Sequence, residues 1–275
     1  MLTECGYGLR RTQMNISGAP ASSYLDGVLA STVFDLDATI AASYPGSGLT
    51  WANLATPADG AAKTAYDFFL GDGVTATTYP AFSGSAGNSA AYWSFDGGDY
   101  FDLKSGANTP FLRDAHKTTG GSDFWIAMAY RPVDGGVTQG LFTTTDGTGT
   151  AGFRTEQLGA ELIQLVQRGA ATTQTNGGNV TPGTDTLYIA THNHATNMTT
   201  HWRNSLTGSS VSHTFSTTTT DATRAARIGQ RTTGNSPLLS GNRLYAVAMG
   251  NEYLDNAKAA SIIAHLNARH GRTYA

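Results

Sequence analysis

From Val33 onward the chain consists of short apolar or alternating runs separated by Gly, Asp, Asn and Pro, the pattern of antiparallel strands joined by turns. The early runs predict strands at Val33 to Asp37, Ala65 to Phe69, Ala91 to Phe95, Tyr100 to Leu103, Asp123 to Arg131, Gln139 to Thr144 and Ala151 to Thr155. The later ones predict strands at Glu161 to Arg168, Asp185 to His192, Thr199 to Asn204, Ser210 to Phe215, Arg224 to Gly229 and Gly241 to Met249. So many strands imply two packed sheets. Phe124, Ile126 and Met128 alternate with Trp125, Ala127 and Ala129, which suits a strand covered on both faces. One helix interrupts the pattern, from Asn256 to a stop at Gly271. Asp255 or Asn256 caps its start, and Ala260, Ile263 and Leu266, with Ile262, form its apolar stripe. Residues 1–32 lack this rhythm and read as an extended N-terminal arm, expected to be an assembly contact.

Composition narrows the class. The chain has 275 residues, 40% of them hydrophobic, enough for one large sandwich domain over residues 33–275. Only 13% are charged, against about a quarter in an average soluble protein, and 33 glycines accompany abundant Thr. A net charge of −3 and no basic run longer than Arg10-Arg11 leave no footprint for nucleic acid. No stretch has the length of a membrane span, and the first residues contain no apolar segment of signal-peptide length. Ordinary secretion is therefore not expected, nor is membrane insertion. The single cysteine, Cys5, excludes an intrachain disulfide.

Several segments together match the pattern of one family. The stretch from Ser43 to Leu54, with Pro45-Gly46 leading to Trp51, resembles the opening of that family. Trp93 to Phe101 resembles its aromatic hairpin, and Asp123 to Tyr130 its central strand. Thr186 to His192 with His201 to Asn204 resembles a later hairpin, although Ser205 stands where the family often has Gly. Arg227 to Gly229 and Gly241 to Met249 resemble the closing strands, and Leu254 to Gly271 the C-terminal helix. Over residues 33–275 the chain thus resembles the concanavalin A-like, or laminin G-like, jelly-roll domains of bacteriophage virion proteins, and this is the resemblance that these segments carry. It implies an all-β, two-sheet antiparallel sandwich and a virion surface protein, a capsid decoration or tail-fibre component made in the host cytoplasm. The resemblance does not reach the arm, which is expected to dock on other virion proteins; symmetric copies are expected because viral surfaces repeat, with host polysaccharide as a candidate ligand.

The local chemistry agrees with that fold and adds few sites. Asp96-Gly97-Gly98-Asp99 between aromatic-bearing strands reads as a hairpin turn, and Trp51, Phe95, Trp125 and Ile228 read as core. Glycosidases on this fold resemble one another in a Glu-x-Asp-x-Glu strand, and Glu4, Glu156, Glu161 and Glu252 have no such spacing. Asp35 and Asp37 form a lone pair read as facing solvent or capping a turn. No nucleophile elbow, zinc-protease motif or phosphate loop occurs, and the glycine string from Gly147 to Gly152 leads into a strand and reads as a turn. The expectation is a non-enzymatic protein. A sugar site would draw an aromatic platform and amide partner from Tyr100, Trp202, Asn204 and Tyr245. No cofactor is expected; calcium on Asp96, Asp99 and Asp102 is the option that laminin G-like domains suggest, with turn-forming aspartates as the simpler reading. His192 and His201 would face each other across a compact turn and, with His194, offer imidazoles to a transition metal. The alternatives are a cellular carbohydrate-binding adhesin and, against the missing carboxylate pattern, a polysaccharide-degrading enzyme. Sequons at Asn15, Asn179 and Asn197 matter only on a eukaryotic secretory route.

Overall fold

The alternation at residues 124–129 is realised with both faces covered: Phe124, Ile126 and Met128 enter one hydrophobic core, Trp125, Ala127 and Ala129 a second. The structure, a computed structural model, describes residues 24–147, 149–159, 162–232 and 234–274. In chain order its elements are β1 (Thr32–Asp37), β2 (Thr50–Trp51), β3 (Phe68–Leu70), β4 (Ala81–Ser83), β5 (Tyr92–Ser94) and β6 (Phe101–Leu103). Then come α1 (Pro110–Asp114), β7 (Phe124–Arg131), β8 (Gln139–Thr143), β9 (Gly152–Leu158), β10 (Leu162–Arg168) and β11 (Thr172–Asn179). Last are β12 (Thr186–Asn193), β13 (Met198–Arg203), β14 (Ser209–Ser212), β15 (Arg227–Ile228), β16 (Arg243–Gly250) and α2 (Asn256–His270).

The strands form two antiparallel sheets. The first runs β14-β13-β12-β7-β16-β5-β4, with β1 also on β16; the second runs β11-β10-β9-β8-β15-β6-β3-β2. The larger core lies between them and includes Trp51, Phe95 and Ile228, as read from the sequence. The smaller core, which holds Trp125, lies on the far side of the first sheet, where α2 packs. Its sheet face is built from Ala127, Ala129, Ala246 and Ala248, small side chains that let the helix approach closely, and α2 answers with Ala259, Ile262, Ile263 and Leu266. The buried stripe thus uses Ala259, and Ala260 is half-buried. Asp255 caps the helix by accepting from the Lys258 N–H at 2.9 Å, and Gly271 closes it in the left-handed region with φ 59°.

Three readings are revised. Asp96 to Asp99 joins no hairpin: β5 pairs with β4 and β16 in the first sheet, whereas β6 pairs with β3 and β15 in the second. The segment is an arch between sheets, where Gly97 takes φ 103° and the Asp99 carboxylate accepts from the Asp96 N–H. A turn signal reports a reversal, not which sheet the chain enters next. Asp35 and Asp37 do not face solvent; both are wholly buried beneath the last turn of α2. Finally, β11 was not foreseen, because Thr172–Asn179 contains no apolar residue to alternate.

Of the expected arm, residues 1–23 lie outside the described residues, as do Cys5 and Asn15. Leu25 and Leu29, within a 3₁₀ turn and the residues after it, are buried in the second core. Among the described residues no helix is long and apolar enough to cross a membrane.

Candidate functional site

The second sheet has an outward face that no helix among the described residues covers, and β9 shows how it is built. Phe153 and Thr155 point inward, the Thr155 hydroxyl reaching the Met128 sulfur at 3.3 Å, while Arg154 and Glu156 point outward. Glu156 accepts from Arg154 at 2.7 Å, from Arg231 at 2.9 Å and from the Gln164 amide at 2.8 Å. Burial alone would raise its carboxyl pKa; the guanidiniums of Arg154 and Arg231 outweigh that and hold it below the ordinary value. Farther along the face Arg227 forks onto Asp102 at 2.6 and 2.9 Å and lies over the Tyr100 ring, 3.8 Å from its centroid. Arg224 meets Asp146 at 3.5 Å. These carboxylates are occupied by arginine, so this surface neutralises itself.

A second region is left unsatisfied. Between the end of β11, the turn Thr181 to Thr184 and the end of β13 lies a cleft of about 240 Å³, lined by Asn179, Val180, Thr181, Thr184, Thr186, Arg203 and Asn204. A bulge makes room for it: Ile163 pairs with Gly178 but Gln164 with Asn176, leaving Gly177 as the extra residue. Gly178 takes φ 82°, and a Cβ there would fall 2.5 Å from Arg203 Nη1, so both backbone and neighbour require glycine. Asn204, at φ 46°, holds the opposite rim: its side-chain oxygen accepts from the Leu187 N–H at 2.7 Å and its amide donates to the Asp185 carbonyl at 3.1 Å. Hydroxyls, an amide and one guanidinium therefore converge on a space suited to a single small polar ring.

The four residues read as a sugar platform are not brought together. Asn204 lines the cleft, but Tyr100 sits half-buried under Arg227 on the other sheet. Trp202 and Tyr245 are each 1% exposed in the second core. The Trp202 indole N–H donates to Asn256, and the Tyr245 hydroxyl donates to Asp185 at 2.6 Å beneath the Arg272 guanidinium. Arg203 was missed; its only sequence signal is the Gly177-Gly178 pair in the polar strand opposite.

The metal readings also change. Asp102 is held by Arg227, while Asp96 and Asp99 bind backbone N–H groups of their own arch. His192 pairs in register with Thr199 and His201 with Ala190, because the turn through Asn197, at φ 52°, sets the hairpin two residues from the expected register. The His192 ring stacks on Phe215 at 3.7 Å and its Nδ1 faces the Thr199 hydroxyl; His201 lies between the hydroxyls of Tyr188 and Thr175. His194 contacts the Thr118 carbonyl. Among the described residues no group of three or more His, Cys, Asp or Glu side chains is placed to hold a metal ion.

No protein-family model matches the chain, and no curated protein matches it. Solved structures do. The chain is similar to Trypanosoma rangeli sialidase in complex with sialic acid, with TM-score 0.54 and 12% identity over 89% of this chain and 34% of that one. A mutant of the same sialidase displaying trans-sialidase activity gives TM-score 0.55 and 13% identity over the same shares. A carbohydrate-binding module, the Ruminococcus gnavus IT-sialidase CBM40 bound to α2,3 sialyllactose, gives TM-score 0.43 and 12% identity over 54% of this chain and 90% of that one. The chain spans about a third of the length of the Trypanosoma sialidases it matches. At such identity the likeness establishes the β-sandwich fold alone. It overturns one expectation: the fold occurs within sialidases, so the architecture gives no ground for calling this protein non-enzymatic.

Proposed function

We propose that the sandwich is a saccharide-binding module of a bacteriophage particle surface, with the cleft at Arg203 and Asn204 as its sugar site. The cleft carries the reading: Asn179, Thr181 and Thr184 line it, and among the described residues their side chains make no hydrogen bond that would compete with a ligand. Hydroxyl and amide groups of this kind suit the vicinal hydroxyls of a sugar ring, and the volume suits one ring, not a long oligosaccharide. The particle assignment is supported by the resemblance of residues 33–275 to phage laminin G-like domains. In this reading the contact with other virion proteins belongs to residues 1–23, since Leu25 and Leu29 serve the second core.

The test is a glycan array of bacterial surface polysaccharides probed with the full chain and with Thr184→Trp, which fills the cleft. Binding that the variant loses supports the site; binding that survives in the variant moves it elsewhere. Gold-labelled antibody on particles from a lysate tests the particle assignment. An unlabelled particle population would favour a cellular adhesin instead.

A further inference from the structure

We infer that the sugar taken by this cleft carries a carboxylate and that Arg203 is its anchor. The inference rests on the saccharide reading above and adds the chemical class of the ligand. Among the described residues every other arginine has a partner. Arg113, Arg131, Arg154, Arg224, Arg227, Arg231, Arg269 and Arg272 meet carboxylates, Arg168 donates to the Gly147 carbonyl, and Arg243 lies over the Tyr92 ring. The Arg203 side chain has none, and its Nη1 is sealed from water with no hydrogen-bond acceptor. Leaving a buried guanidinium N–H unmet is costly; Nη1 lies against Gly178, and Arg203 lines the cleft with no carboxylate to meet it.

The surroundings define what would meet it. No carboxylate lines the cleft, so Arg203 is its only charge and makes it a site for an anion. The planar guanidinium fork matches a planar carboxylate with two parallel hydrogen bonds. The threonines and Asn179 stand beside it, where the hydroxyls of the same sugar would lie. Gly178 leaves room for the guanidinium, because a Cβ there would fall 2.5 Å from Nη1.

The experiment is calorimetric titration of the full chain with matched pairs of oligosaccharides that differ only in the terminal carboxylate. One pair ends in glucuronate or glucose, and the other ends in N-acetylneuraminate or its carboxyl-reduced form. The expected result is preference for a carboxylated member by about tenfold or more, lost in Arg203→Gln and partly restored in Arg203→Lys. The pair that shows the preference identifies the source of the carboxylate. Equal affinity for charged and neutral members of both pairs overturns the anchor while leaving the saccharide site standing, and this comparison needs no variant to fold. Failure to bind any member, together with an empty glycan array, overturns both.

Discussion

Two seams along the first sheet solve the burial of polar groups in opposite ways. Beneath α2, Arg269 donates to Asp35 at 3.0 Å and to Asp37 at 2.9 Å, and His270 meets Asp37 at 3.0 Å. At the second seam, where β11 of the other sheet faces β13, the buried groups are His192, His201 and His213, and their partners are the hydroxyls of Thr199, Tyr188, Thr175 and Thr173. The first seam carries charge and matches it. Burial alone would push the Asp37 carboxyl up, but His270 and Arg269 hold it far below the usual carboxylate range. The second seam tolerates only neutral rings: burial pushes His192 down to about 3 and His201 and His213 to about 4. A buried polar group is therefore stable over a wide pH range only where its partner can answer its charge.

The strongest way to break this contrast is Arg269→Met, which leaves Asp35 buried without a counter-charge and Asp37 with His270 alone. It should cost about 3–5 kcal/mol in denaturant unfolding at neutral pH. A loss under 1 kcal/mol would show that the carboxylates simply protonate and that the match is not needed. Acid addresses the other seam. The unfolded chain binds protons on these histidines near pH 6.5 while the folded chain refuses them, so their stabilisation is complete above that value and falls as pH drops toward 4. Denaturation midpoints at pH 7.5 and 5.5 should differ by about 1 kcal/mol for each histidine. Equal midpoints would mean that the seam already opens to water at neutral pH.

Smaller effects sharpen the picture. Gly178→Ala should destabilise by about 1–2 kcal/mol through its positive φ and the crowding of Arg203. A neutral result in a thermal melt would show that the bulge relaxes. Asp99 works against the histidines: burial, with some help from Asp96, pushes its carboxyl up to about 6, so the folded state gains stability as pH falls from 6 toward 3.8. Asp99→Asn should raise stability at pH 7.5 by roughly 1 kcal/mol or less, given partial solvent screening, and remove that opposing slope.

The sandwich was legible wherever apolar residues alternate, as in β7, β12 and β16, because period two with both faces filled leaves little choice. It was not legible at β11, whose threonines and asparagines owe their place to the ladder with β10 and not to burial. The candidate site was less visible still. Asn204 was found as a polar residue at a strand end, but Trp202 and Tyr245 are aromatic for the sake of packing against α2, and a single sequence cannot tell a platform from a core. Nor can it show that Arg203 lacks a partner, since that requires knowing where every carboxylate has gone. Asp35 and Asp37 looked like surface residues because their partners, Arg269 and His270, stand more than 230 positions away.

That distance bears on how the molecule comes to exist during synthesis. β1 takes its place only by pairing with β16, which joins Asp37 to Ala246, and β16 also lies between β7 and β5. β1 must wait for β16 before the first sheet is complete. On a ribosome the pairs β4–β5 and β12–β13 and the meander β9–β10–β11 can form as they emerge, but the first sheet lacks its centre until β16 arrives. Folding should therefore be slow and largely post-translational, with the nascent chain exposed to chaperones and to aggregation until residues 243–250 are free to enter the sheet.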